Sequence, residues 1–256
     1  MIDSSARIDP SAELAADVSV GPWSIIGPNV KIGQGSVIES SVVIRRNTEI
    51  GSNNRIFQFA SVGEDPSDLK FKGEETTLVI GNNNVFREGV TLHRGTASGG
   101  GVTRIGNDNL MMPYVHVAHD CIVGNHTVFA NNVGITGHVQ VDDWALLGGY
   151  AGINQFLKVG AHAMVGGMTH VTNDVPAYII VSGNPAAVRS INAIGLERRG
   201  YSKEVIKEIK KAYKIIYKKG LGLQEAIDEL TLLQESCSEI QLLTDSLKSS
   251  EKGIHR

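Results

Sequence analysis

Val117-Ala118-His119-Asp120-Cys121-Ile122-Val123-Gly124-Asn125-His126-Thr127-Val128-Phe129-Ala130-Asn131-Asn132-Val133-Gly134-Ile135 is the stretch that decides the fold. Large apolar residues recur in it every six positions, at Val117, Val123, Phe129 and Ile135. A helix repeats every 3.6 residues and a half-buried strand every two, so neither produces this spacing. Working outward, the register runs back from Met111 to Ile105 and forward through Val141, Leu147, Ile153, Val159 and Val165 to Val171. It also holds from Ile2 through Ile8, Leu14, Val20, Ile26, Ile32, Ile38, Ile44, Ile50 and Ile56 to Val62, and at Ile80, Phe86 and Leu92. Gly often follows the apolar residue, as at Gly27, Gly51, Gly106 and Gly160. Asn29, Asn47, Asn53, Asn83 and Asn132 all stand third after it, as a corner that needs positive φ would require. The fourth place is small or β-branched, as at Ala60, Val133 and Ala145. Each hexad therefore reads as a short strand and a corner, and three hexads close one coil of a triangular prism whose stacked strands run parallel. The period does not give the hand of the coil, since parallel crossovers are normally right-handed.

Two inserts interrupt the register, near residues 68–79 and near residues 97–104, the second containing Gly99-Gly100-Gly101. They follow the hexads of Val62 and Leu92, three hexads apart, and so should leave the same edge of the prism on successive coils. Long loops from a strict solenoid usually mark a binding face.

The period ends after Val175-Pro176, and Gly183-Asn184-Pro185 reads as a connection. The expected division is a β-helix over residues 1–185 and an α-helical domain over residues 186–256. Ser202 is a suitable N-cap for a helix whose apolar residues Val205, Ile206, Ile209, Ala212, Ile216 and Tyr217 recur at helical spacing until Gly220. Further helices are expected near Leu223 to Glu235 and Ser238 to Lys248. From Arg189 to Gly220 there are ten Lys or Arg against three Glu, in a chain whose net charge is −3, which makes this end fit to receive an acidic or phosphorylated partner.

With 256 residues and 41% hydrophobic content the chain can bury a substantial core. Its mild charge does not point to nucleic acid, and no apolar run is long enough for an integral membrane segment. With no leader-like N-terminus, a cytoplasmic location is expected. Cys121 and Cys237 are too far apart for a C-x-x-C site and read as free thiols.

Tyr114-Val115-His116-Val117-Ala118-His119-Asp120-Cys121 is the densest titratable group in the repeat. Adding eighteen takes His119 to Gly137 and then to Gln155, and Asp120 to His138; His93 lies on the coil below. Transfer of an acyl group to a hydroxyl needs a base near neutrality, which suits His119, with Asp120 to fix its tautomer and the Gly137 N–H to receive an oxyanion. Cys121 falls at an inward place and no G-x-S-x-G elbow occurs, so direct attack is expected without an acyl-enzyme. A zinc site of His93, His116 and His119 is the rival chemistry, and a purely structural solenoid the rival without chemistry; the expectation is that no metal is bound.

Together Gln58-Phe59-Ala60-Ser61-Val62-Gly63, Leu92-His93-Arg94-Gly95-Thr96, His116-Val117-Ala118-His119-Asp120-Cys121, Gly137-His138-Val139, Asp174-Val175-Pro176 and Leu196-Glu197-Arg198-Arg199-Gly200 resemble the UDP-N-acetylglucosamine acyltransferase family over essentially the whole chain. The resemblance implies a left-handed parallel β-helix, a homotrimer with sites between adjacent β-helices, and transfer of an (R)-3-hydroxyacyl group from acyl carrier protein to the glucosamine 3-hydroxyl of UDP-N-acetylglucosamine, the first step of lipid A synthesis. Transfer to a 3-amino sugar and a CoA-dependent acetyltransferase are the alternatives. It implies His119 as general base, Asp120 as its partner and Gly137 as oxyanion donor, with Asp68, Lys70, His93, His116, His138 and Gln155 around sugar, phosphate or acyl groups. Asn192 and Arg199 match nucleotide-binding positions, Arg198 matches the basic surface that meets the carrier protein, and Gly167 matches the position that limits acyl length. No cofactor is implied beyond the carrier protein's phosphopantetheine arm.

Overall fold

In a computed structural model, residues 1–255 are described. Short parallel strands form three walls of nine, eight and ten strands. The first wall runs from Arg7–Ile8 to His170–Val171, the second from Glu13–Leu14 to Lys158–Val159, and the third from Ser19–Val20 through Met164–Val165 to the pair Ile179–Ser182 and Ala187–Ile191. The chain visits the walls in turn, building a left-handed parallel β-helix. Val117 pairs with Ile135 and Ile135 with Ile153, eighteen residues per coil. From Val20 to Val171 the apolar residue of each hexad is buried, and Ile44, Ile56, Phe86, Leu92, Phe129 and Ile135 are fully so, each contributing about 1.5–3 kcal/mol on removal from water. Asn29, Asn47, Asn53, Asn83 and Asn132 all adopt positive φ, between 56° and 59°.

Where the walls converge the interior is not uniformly apolar. Behind the second wall, Ser36, Asn54, Asn84, Asn109 and Thr127 occupy the fourth hexad place on successive coils, at 0–1% exposure. The Asn54 side-chain oxygen accepts the Asn84 backbone N–H at 2.9 Å, the Asn84 oxygen that of Asn109 at 3.0 Å, and the Asn109 oxygen that of Thr127 at 2.8 Å. Their amide groups donate to Gly81, Gly106 and Gly124 carbonyls. These asparagines are sheltered because each of them is hydrogen-bonded up and down the stack.

Both inserts leave the first wall, from adjacent strands that pair Val62 with Leu92. They return sooner than the expected bounds: strands resume at Thr77 and Val102, because Thr77–Ile80 and Val102–Ile105 pair along four residues. Residues 183–185 turn the chain back so that Ala187–Ile191 pairs antiparallel with Ile179–Ser182, and helix begins only at Ala193.

Helix α1 (Ala193–Arg198) was not expected from the apolar spacing; α2 (Lys203–Lys218), α3 (Leu223–Gln234) and α4 (Ile240–Lys248) fall where that spacing places them. The Ser202 hydroxyl accepts the Val205 N–H at 3.2 Å, capping α2. The helices close the prism: Tyr178 donates to the Glu239 carbonyl and Ser250 to the Asp174 carboxylate, so the last coil is covered rather than left as an open edge.

Candidate active site

His119 and Asp120 occupy the second and third corner places after the strand His116–Val117. Asp120 takes the positive φ of its corner, 60°, a conformation Asp tolerates better than most residues. Its side chain, 1% exposed, turns inward under the second insert. One carboxylate oxygen, Oδ2, lies 2.8 Å from Nδ1 of His119. A carboxylate only accepts, so in the neutral ring Nδ1 carries the proton and Nε2 is the nitrogen free to accept one. Thr96 donates its hydroxyl to Oδ2 at 2.6 Å and its N–H to Oδ1 at 2.7 Å, and the Thr103 hydroxyl accepts the Asp120 N–H at 2.8 Å.

One coil on, His138 donates its N–H to the His119 carbonyl at 3.0 Å, which puts Gly137 directly beside the His119 ring. The Gly137 N–H has no acceptor among the described residues. The His138 ring stands edge-on to His119 with centroids 5.3 Å apart, its Nε2 is 3.6 Å from Asp120, and Phe156 of the following coil stacks on it at 4.5 Å.

Below this layer, His93 and His116 meet edge to face at 4.8 Å. His116 Nδ1 pairs with the Thr91 hydroxyl at 2.7 Å, and the Ser67 hydroxyl lies 3.4 Å from His93 Nδ1. Burial, reinforced by the neighbouring His116, pushes His93 down to about 4. Burial followed by the proximity of His119 lowers His116 as well. At neutral pH both are uncharged groups able to donate and accept.

Asp68, Lys70, His119, His138 and Gln155 line one cleft of about 650 Å³, together with Ser67, Ser98 and Phe156. The first insert forms its roof, turned by the Lys70 N–H bonding to Asp68 at 2.9 Å. Among the described residues, the cluster whose possible metal-binding atoms lie within 4.8 Å of one another is His119, Asp120 and His138, not the set of His93, His116 and His119 considered from the spacing. Cys121 is shut inside, donates to the Thr136 carbonyl at 3.1 Å and is pushed up to about 12 by burial, which makes it inert as a nucleophile.

Other expected residues lie elsewhere on the chain. Asn192, Arg198 and Arg199 line a separate cleft of about 540 Å³ against the third wall. Asn192 caps α1 by accepting the Gly195 N–H at 3.1 Å and donates to the His162 carbonyl at 3.0 Å. Arg199 donates to the Trp144 carbonyl at 2.8 Å and contacts His162 Nδ1 at 3.2 Å. Gly167 sits exposed on the edge that follows the third wall, one strand removed from the edge of His119. Thr96, Thr103, Ser67, Ser98 and Phe156 have no site role in the sequence reading; of these only Phe156 carries a signal in the spacing, as it stands eighteen after His138.

An imidazole held in one tautomer, with an adjacent unpaired backbone N–H and a roofed cleft, can take a proton from a hydroxyl and stabilise the oxyanion of an attacked carbonyl. Comparisons with known proteins give the family. Residues 103–137 match the family of bacterial transferase hexapeptide repeats, and residues 174–255 match UDP-N-acetylglucosamine O-acyltransferase, domain 2. The acyl-[acyl-carrier-protein]–UDP-N-acetylglucosamine O-acyltransferase of Stutzerimonas stutzeri is 54% identical over 100% of this chain and 99% of its own. The solved UDP-N-acetylglucosamine O-acyltransferase of Moraxella catarrhalis shares 47% identity with a TM-score of 0.97, and the solved LpxA of Acinetobacter baumannii 53% with a TM-score of 0.98, each covering 100% of this chain and 99% of its own. The chain belongs to the acyl-[acyl-carrier-protein]–UDP-N-acetylglucosamine O-acyltransferase family.

Proposed function

We propose that this protein transfers an (R)-3-hydroxyacyl group from acyl carrier protein to the glucosamine 3-hydroxyl of UDP-N-acetylglucosamine, opening lipid A synthesis in the cytoplasm. The observation that carries the reading is the His119–Asp120 pair at the floor of the cleft, with the free Gly137 N–H beside it. Nε2 of His119 takes the proton of the 3-hydroxyl as its oxygen attacks the thioester carbon. The carbonyl oxygen, now negative, is received by the Gly137 N–H. Collapse of the tetrahedral adduct expels the phosphopantetheine thiolate, which recovers the proton from His119, leaving an ester and a thiol. No cofactor other than that arm takes part.

Asp68, Lys70, His93, His116, His138 and Gln155 would hold the sugar, phosphate and acyl groups. Asn192 and Arg199 would contact the nucleotide from the second cleft. Lys207, Lys210, Lys211 and Lys214 gather beside Tyr213 on α2, and with Arg198 they supply the positive charge an acidic carrier protein needs.

A homotrimer is part of the proposal. Trp23, Phe59, Tyr114, Tyr150 and Met168, each 66–77% exposed, all lie at the third corner place on the edge after the third wall, an apolar ridge that a monomer would leave in water. Gly167 stands on that ridge, so a neighbouring copy is the source of the residue that would limit acyl length. Among the described residues no helix is long and apolar enough to cross a membrane.

The test is transfer from hydroxyacyl carrier protein to UDP-N-acetylglucosamine by the wild type and by His119→Ala. Turnover should drop at least about a hundredfold with the unfolding transition unchanged. Near-normal turnover would remove His119 from the mechanism.

A further inference from the structure

The geometry points to Thr96, the residue that opens the glycine-rich second insert, as a positioning residue that acts through Asp120 to hold His119 in its working tautomer and orientation. This rests on the reading of His119 as the base.

Thr96 is 4% exposed and fixes both carboxylate oxygens of Asp120 by itself, Oδ1 through its N–H and Oδ2 through its hydroxyl. Its hydroxyl is fully committed. The oxygen accepts the Gly99 N–H at 3.1 Å, capping the single 3₁₀ turn Ala97–Gly99, so the hydroxyl hydrogen is left to point at Oδ2. His119 Nδ1 reaches that same Oδ2. The insert closes over the carboxylate so tightly that a Cβ on Gly99 would lie 2.1 Å from Asp120 Cγ. On the opposite side the Thr103 hydroxyl, where the insert returns to the prism, accepts the Asp120 N–H. The two ends of one loop therefore clamp the side chain and the backbone of Asp120. A base must sit within fractions of an ångström of its proton, and a carboxylate free to rotate about χ1 and χ2 cannot supply that alignment.

The experiment compares Thr96→Val, which keeps the backbone N–H bond and removes the hydroxyl, with Thr96→Ser and Gly99→Ala, each in wild-type and Asp120→Ala backgrounds and alongside His119→Ala. Thr96→Val should lower kcat roughly ten- to a hundredfold, the scale of a lost hydrogen bond to a charged group, with KM for UDP-N-acetylglucosamine within about twofold. Thr96→Ser should recover most of the turnover. In the Asp120→Ala background the loss from Thr96→Val should shrink to about twofold, because a residue that works through Asp120 has nothing left to work through. Unchanged kcat in Thr96→Val, a loss confined to KM, or an equal loss in both backgrounds overturns the inference. Should Thr96→Val not fold, Gly99→Ala, which drives a methyl group against the carboxylate, must show the same kcat loss and the same dependence on Asp120, and the inference falls if it does not. High turnover in His119→Ala instead removes the base itself, an outcome separate from any behaviour of Thr96.

Discussion

The Cβ that Gly137 lacks would lie 2.5 Å from Cε1 of His119 and 2.8 Å from its Nε2. No real side chain tolerates such an approach, so the ring can keep its place against Asp120 only because position 137 is bare. Gly137→Ala retains the backbone N–H but pushes the imidazole away. We expect kcat to fall about a hundredfold, as for a displacement near 1 Å, with little change in melting temperature, read by steady-state assay beside thermal unfolding. Wild-type kcat would show that the ring has room the geometry denies it.

Gly167 offers a different margin. A Cβ there meets the Gly149 carbonyl at 3.3 Å, tight but without backbone collision, and the position is exposed on the apolar ridge. Gly167→Met should therefore fold normally and, in the proposed trimer, shorten the preferred acyl chain. Competition between carrier-protein substrates of different length checks this; an unchanged preference refutes it.

Asn84 is the middle rung of the buried amide ladder, bonded to Asn54 on the preceding coil and Asn109 on the following one. Asn84→Ala strands the Asn109 N–H and the Gly106 carbonyl away from water, while the Asn54 oxygen keeps the backbone N–H of residue 84. A loss of about 3 kcal/mol is expected in denaturant unfolding, from unsatisfied groups at roughly 1–3 kcal/mol each. A loss below about 1 kcal/mol would mean that water replaces the amide.

His162 lies between Arg199 and Tyr201 and stacks with Tyr178; burial first, then the Arg199 charge, push it down to about 4 from 6.5, against the opposing pull of Asp143. Because the unfolded chain binds this proton at higher pH than the folded one, stability is fully present above pH 6.5 and declines as pH falls toward 4. His93 adds to the decline in the same window. His162→Gln should reduce the slope of stability against pH between those limits, measured by urea titration; an identical slope would show that His162 titrates alike in both states.

Much of this was legible in the residues themselves. The spacing of Val117, Val123, Phe129 and Ile135 set the coil, and eighteen-residue addition placed Gly137 beside His119 and His138 beside Asp120, as found. Such inference succeeds because a solenoid is one-dimensional: each coil rests on the one before, so sequence distance converts directly to position. Asn54, Asn84 and Asn109 stand at the fourth place, where small or β-branched residues are the rule, and only the structure shows the buried partners that satisfy them.

What only the tertiary structure decided lies where the period breaks. Nothing in Thr96 or Gly99 announces that the second insert folds back onto the Asp120 carboxylate, and nothing in Asn192 or Arg199 that they engage His162 and Trp144. The return of the chain through Ala187–Ile191 was likewise invisible, as was the short helix Ala193–Arg198 that follows it. Inserts and end caps take their conformation from contacts with coils distant in sequence. A six-residue rule therefore fixes the prism and the floor of the cleft, while the clamp on the His119–Asp120 pair comes from packing that no local period encodes.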